Sequence, residues 1–236
     1  MSDNDFAIED DQCITNPVHC KDGFSFSLFY FPEYAETDSQ LAAPDADFDK
    51  EYLFSSGGDH GHPGVAVYRQ GGTFGVLVST GAHNWVVEVV GGIPQRNKWS
   101  NIAVRWRPLN FNNNSTEFEM RVKEGERDED FGGLTVFIDL KKLGFALLPE
   151  ELDYADGQTC PETEVKKPLE PPEVLLGCHK TSSNASKRHF ASGSFDELAL
   201  WKRWINDTEL PFFLGGYSYV FFHKYKKPHN YVGNDS

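Results

Sequence analysis

Apolar and polar residues alternate with a period of two along most of this chain. In FSFSLFYF (24–31), Phe24, Phe26, Leu28 and Tyr30 share one face, while Ser25 and Ser27 share the other. Successive residues of a strand point to opposite sides of the sheet, so the pattern predicts a strand with one buried face. GVAVYRQ (64–70), FGVLVST (74–80), NWVVEVV (84–90) and SNIAVRWRP (100–108) follow, then TEFEMRV (116–122), LTVFIDL (134–140) and FDELALW (195–201). Most are short, rich in β-branched and aromatic residues, and bounded by Gly, Pro, Asn or Asp. The glycines of YRQGGTF (68–74) suit a tight hairpin.

Helical periodicity is nearly absent. One short helix is expected near the C-terminus, beginning at Asn206 or Asp207, either of which can cap it. Many short strands without interleaved helices predict an all-β fold, an antiparallel β-sandwich, as one domain over 5–222. The tail 223–236 is expected to be disordered. Three stretches break the alternation: an acidic loop at 34–50, a charged hairpin tip at 125–130, and a proline-rich surface excursion at 155–172.

Composition supplies a core and removes some partners. Hydrophobic residues make up 39% and aromatic residues 14%, enough apolar material for a sizeable interior. Lys and Arg number 22 against 36 Asp and Glu, a formal net charge of −14, which repels phosphate backbones and argues against nucleic acid as partner. The longest apolar run, FFLGGYSYVFF (212–222), is too short and interrupted to span a bilayer, so no direct membrane insertion is expected. The N-terminal MSDNDFAIEDDQ lacks the basic and apolar regions of a signal peptide.

The cysteines point to an oxidising compartment instead. Cys13 and Cys20 flank a turn at Asn16-Pro17, and Cys160 and Cys178 form a second local pair. Four cysteines permit three connectivities, of which 13–20 with 160–178 is the most local. Neither spacing suits a zinc knuckle, so disulfides are the better reading. Asn113, Asn114, Asn184, Asn206 and Asn234 each begin an N-x-S/T triplet and are candidate glycosylation sites. An extracellular or cell-surface protein is expected, with its signal sequence upstream of Met1.

Candidate chemistry is sparse. Asp196 and Glu197 are adjacent on a predicted strand and therefore point apart, which is unsuited to a facing carboxylate pair. Glu126, Asp128 and Asp130 echo the strand-borne acids of jelly-roll glucanases, but they sit in a charged loop. DHGHP (59–63) offers Asp59, His60 and His62 to a metal, against the plainer reading of an exposed polar loop. No G-x-S-x-G elbow is present, and no catalytic residue is expected. Trp85, Trp99, Trp106, Trp201 and Trp204 could stack sugars, although their places in or beside strands favour packing roles.

The order of motifs carries a resemblance. Trp99, Ile102, Val104 and Trp106 match a W-x-x-V/I-A-V-x-W strand. Val136, Ile138 and Asp139 match V-x-V/I-D-G, with Leu140 in place of glycine. Phe195, Asp196, Glu197, Arg203, Ile205 and Glu209 match a closing F-D-E…R-x-L…E-I motif. Together they resemble a laminin-G-like or pentraxin-like domain of the concanavalin A-like jelly-roll superfamily. The cysteine pair ahead of the phenylalanine-rich strand is similar to the N-terminal pentraxin-like domain of adhesion G-protein-coupled receptors. The likeness covers 5–213; the first strand usual in such domains is expected upstream of Asp5. It implies a non-enzymatic adhesion or ligand-binding module that recognises an extracellular protein or glycan through its loops. Calcium is the cofactor it implies, with Asp45, Asp47 and Asp49 as oxygen donors but no ligand spacing to carry over. A calcium-dependent lectin and, more remotely, a jelly-roll glycoside hydrolase are the alternatives.

Overall fold

The structure, a computed structural model, describes residues 13–33, 50–59, 62–108, 132–149, 174–178 and 191–211. Ten strands run in chain order: β1 (Phe24–Pro32), β2 (Glu51–Ser55), β3 (Gly64–Gln70), β4 (Thr73–Ser79), β5 (Asn84–Val90), β6 (Ser100–Arg107), β7 (Gly133–Ile138), β8 (Lys141–Ala146), β9 (Leu175–Leu176) and β10 (Gly193–Trp201). They form two five-stranded antiparallel sheets, ordered β10-β1-β6-β7-β8 and β5-β4-β3-β2-β9. The protein is an all-β antiparallel sandwich. The stretches 34–49, 109–131 and 150–173, the triplets at Asn113, Asn114, Asn184 and Asn234, and the ends 1–12 and 212–236 lie outside the described residues.

Alternation decides which side chains meet between the sheets. Phe24, Phe26, Leu28 and Tyr30 of β1, with Ile102, Val104 and Trp106 of β6, face Val65 and Val67 of β3 and Phe74, Val76 and Val78 of β4. Phe26 stacks on Phe54 across the layers at 4.7 Å, and Trp85 meets Trp106 edge-on at 5.2 Å. Each such aromatic contact adds about 0.5–1.5 kcal/mol beyond simple burial.

Among the described residues the sandwich is closed along one side and carries a cleft along the other. On the closed side β8 presses on β5 so tightly that a Cβ on Gly144 would come within 2.4 Å of the Val87 side chain. On the other side the edge strands are β10 and the two-residue β9; the Ala191 N–H donates to the Gly177 carbonyl at 2.9 Å beside them, and a cleft lies between the strands.

At one end a disulfide joins Cys13 to Cys20, with Cα atoms 5.1 Å apart. The 3-10 turn Pro17–His19 lies inside its loop, and the Cys20 N–H donates to the Pro17 carbonyl at 2.9 Å. The loop is tied to the opposite sheet by Ser56, whose hydroxyl donates to the Ile14 carbonyl at 2.6 Å and accepts the Val65 N–H at 3.0 Å. Cys178 is buried, while Cys160 lies outside the described residues.

The β7–β8 turn keeps its left-handed geometry despite Leu140. Asp139 and Leu140 have φ of 51° and 65°, the two-residue hairpin form that glycine and asparagine favour. The Asp139 carboxylate accepts the Asn101 N–H at 2.9 Å, and the Asp139 N–H returns to the Asn101 carbonyl at 2.9 Å, so the turn is pinned from β6. Leu140 is 42% exposed and carries a Cβ where the backbone prefers none. Leu140→Gly should therefore stabilise the fold by about 0.5–1 kcal/mol. The check is a urea titration in which the midpoint rises with an unchanged slope.

Candidate functional site

The side that carries the cleft is built on an interruption in β10. Ser27 of β1 pairs with Ala199, but Phe29 pairs with Asp196, so two residues of β10 oppose the single Leu28. This is a β-bulge, which shifts the inward and outward phase by one. Glu197 occupies it at φ 47°, and the Asp196 carboxylate accepts the Glu197 N–H at 2.8 Å. The consequence corrects strict alternation, which places Ala199 and Trp201 on the same side as Phe195. Phe195, Leu198 and Leu200 pack on the core, whereas Trp201 packs on the outer face. Phe195 stacks on Tyr30 at 5.0 Å. The two acids are left exposed at the strand edge and serve as a bulge-forming pair; they do not face each other as a dyad.

Beneath the bulge lies a cleft of about 440 Å³ between the sheet edges. Leu28, Phe195, Leu198 and Leu200 line it from one sheet, and Val174 and Leu176 line it from the β9 side. Asp196 and Glu197 complete the rim, and neither has a cationic partner among the described residues.

The outer face of the β1 sheet is covered by the chain that follows β10. Residues 202–211 turn back across it and place Ile205 and Leu210 over Ala103 and Phe137. Packing is thus onto the sheet face. Arg105, 1% exposed, is the centre of this covering. Its guanidinium reaches Asp207 at 2.5 Å, donates to the Ile205 carbonyl at 3.0 Å, and stacks 4.3 Å from the Trp204 ring. Arg107 stacks on Trp204 too, at 4.4 Å. Ser25 clamps the strap: its hydroxyl donates to the Arg203 carbonyl at 3.0 Å and accepts the Ile205 N–H at 2.9 Å.

Where the sequence predicts the start of a helix, residues 207–209 form a capped turn, and helical backbone begins at Leu210. The Asn206 side-chain oxygen accepts the Glu209 N–H at 2.9 Å and the Thr208 N–H at 3.1 Å, and the Glu209 carboxylate reaches back to the Asn206 N–H at 3.4 Å. This reciprocal arrangement is a capping box, and the Leu210 N–H closes the first turn on the Asn206 carbonyl at 2.9 Å. Arg203 grips Glu209 with two bonds of 2.8 and 3.0 Å, and this hydrogen bonding holds the Glu209 carboxyl below the usual carboxylate range. Asn206 is exposed, so this triplet lies on the surface.

On the outer face of the other sheet, two tyrosines are buried with acids. The Tyr52 hydroxyl donates to Asp59, which Lys50 also pairs with at 3.0 Å; the Tyr68 hydroxyl donates to Glu88 at 2.5 Å. Burial, then the adjacent carboxylates, push both phenols above their ordinary value, so both remain donors through the neutral range. The Tyr68 ring lies on Gly75, where a Cβ would sit 2.4 Å from two ring carbons. Gly75→Ala should displace the ring, loosen the bond to Glu88 and cost about 1–3 kcal/mol. Thermal unfolding, with near-ultraviolet circular dichroism reporting the tyrosine, measures it.

The other candidates from the sequence fare unequally. Asp59 of DHGHP is engaged by Lys50 and Tyr52, while His60 lies outside the described residues. Among the described residues no group of three or more His, Cys, Asp or Glu could hold a metal. Asp45, Asp47 and Asp49, and the acids Glu126, Asp128 and Asp130, lie outside those residues. Trp85 and Trp106 are core residues, and the Trp85 ring N–H donates to the Leu147 carbonyl at 3.2 Å. Trp201 and Trp204 are half-buried against the strap. Trp99 is 43% exposed, its ring 5.5 Å from Phe31. No helix among the described residues is long and apolar enough to cross a membrane.

These features define a two-sheet sandwich with a cleft between two of its edge strands. No protein-family model matches the chain, and no curated protein matches it. Solved structures that it resembles include the botulinum neurotoxin serotype G binding domain, at TM-score 0.42 and 12% identity, covering 87% of this chain and 37% of that one. The receptor binding domain of a botulinum neurotoxin C/D mosaic serotype is similar at TM-score 0.45 and 9% identity, covering 84% of this chain and 37% of that one. The chain thus spans little more than a third of the length of each.

Proposed function

We propose that this chain is a non-enzymatic recognition module, a laminin-G-like or pentraxin-like sandwich acting outside the cell in adhesion or ligand capture. The observation that carries the reading is the largely apolar cleft between β9 and β10, with Asp196 and Glu197 at its rim. Apolar concavities with a few polar groups at the rim are where ligands dock, and a rigid sandwich holds such a rim in place. The disulfide supports an oxidising location. An extracellular protein or a glycan is the ligand class, and calcium is the cation to test with it. A lectin is the second reading, favoured by the exposed indole of Trp99.

The test uses arrays of purified extracellular proteins and glycans, probed in calcium and in chelator. Wild-type chain is compared with Leu176→Arg, which places a charge at the cleft mouth from a residue already 37% exposed. A ligand captured by wild type and lost in Leu176→Arg is the expected result. Ligands that bind both equally would remove the cleft from the reading, and loss in Trp99→Ala instead would favour the lectin.

A further inference from the structure

We infer that the cleft holds a small amphipathic cation, an aliphatic chain bearing one ammonium head. The inference rests on the docking site proposed above and goes beyond it by adding a small-molecule occupant to the protein and glycan ligands named there. The core is uneven on this side. Phe26, Leu28 and Tyr30 of β1 are fully buried. Phe195, Leu198 and Leu200 of β10 pack on the same interior beside them, yet each is only half-buried. Val174 is half-buried as well, and Leu176 is 37% exposed. The cleft between them is where this apolar surface stays wet, and an aliphatic chain laid there removes it from water.

Size and charge select the occupant. At about 440 Å³ the cleft is of small-molecule dimensions, since such pockets run to about 300–1,000 Å³. A protein partner covers roughly 800 Å² per side and needs surface beyond the cleft. The lining offers no hydroxyl or amide side chain to read a saccharide. Asp196 and Glu197 stand exposed at the rim, and neither has a cationic partner among the described residues. The Asp196 carboxylate accepts the Glu197 N–H, which fixes it at the bulge. An ammonium head set against these carboxylates stays hydrated at the mouth while its chain runs inward along the leucines. The same carboxylates repel the anionic head of a fatty acid or phospholipid.

The test follows the methyl resonances of the full chain by NMR during titration with octylammonium, 1-octanol and octanoate. Octylammonium should move the Leu176, Leu198 and Leu200 methyls saturably and leave Val76, in the core, unmoved. 1-Octanol should bind roughly fivefold more weakly, the effect expected of an exposed ion pair, and octanoate more weakly still. Asp196→Asn/Glu197→Gln should reduce octylammonium to the affinity of 1-octanol. Leu176→Arg should weaken it roughly tenfold by setting a like charge at the mouth. Unshifted Val67 and Val76 methyls would show both variants folded. Octanoate binding as tightly as octylammonium overturns the proposal, as does an octylammonium affinity unchanged in Asp196→Asn/Glu197→Gln. Absence of a saturable shift at the cleft methyls overturns the small-molecule occupant while leaving the docking site standing if Leu176→Arg still abolishes capture on the arrays. An array result indifferent to Leu176→Arg removes the docking site as well.

Discussion

Replacing Asp207 with asparagine should lower the stability of the fold by about 3 kcal/mol. The reason lies in the inequality of the pair: Arg105 is 1% exposed at its side chain and Asp207 34%. Removing the acid leaves a guanidinium that cannot return to water unless residues 202–211 lift away. The Ile205 carbonyl and the faces of Trp204 and Phe137, which remain beside it, stabilise a cation less than a carboxylate does. Asp207 is one-third in solvent, which places the expected cost at the lower end of the range for broken buried pairs. Removing both charges should hurt less: Arg105→Met/Asp207→Asn should recover at least ~1 kcal/mol of the loss. Urea denaturation of the four members of the cycle checks both statements. A double variant that loses as much as the two single variants together would mean that the pair contributes nothing beyond packing.

Removing the disulfide should cost a similar amount by a different route. Joining Cys13 to Cys20 closes a short loop, and the chain-entropy relation gives roughly 2.5 kcal/mol for one of this size. That amounts to a fall of about 5–10 °C in the melting temperature of a domain this large. The Cys13→Ser/Cys20→Ser variant measured by calorimetry against the oxidised wild type provides the test. The loop also anchors Ile14 to Ser56 of the opposite sheet, so hydrogen exchange at Val65, whose N–H is held by Ser56, should quicken in the variant. Unchanged exchange there would show that the loop closes independently of the sheet junction.

The readable part of the fold was the part in which one face of a strand is dry and the other wetter. β1, β3, β4, β5 and β6 announce themselves through alternation and through turn residues such as Gly71 and Gly72, and their boundaries fall where the pattern places them. β8 does not: KKLGFA is a half-exposed edge strand, with paired lysines and a glycine chosen for its closeness to Val87. β9 has two residues, too few to carry any periodicity. Arg105 was invisible for another reason. Its parity in NIAVRWR points it away from the core, which ordinarily means water, and only the return of a distant segment buries it. The cleft could not be read because it depends on which strands end up at the edges of two sheets. Asp196 and Glu197 did stand out among apolar neighbours; the signal was genuine, but it marked a change of phase.

That change of phase bears on how the chain tolerates length variation. A strand with a single uninterrupted register serves one inner and one outer surface along its whole course. β10 serves the core with Phe195 before the bulge and with Leu198 and Leu200 after it, while handing Trp201 to the covering on the other side. Glu197 is therefore the supernumerary residue of the strand, which the pairing with β1 on either side does not require. Deleting that one residue would leave Leu198 alone opposite Leu28, keep the pairing with β1 on both sides and leave Trp201 facing the strap; deleting Ala199, beyond the bulge, would instead turn Trp201 inward against a filled interior, and exchanging Glu197 for glycine would leave both surfaces intact.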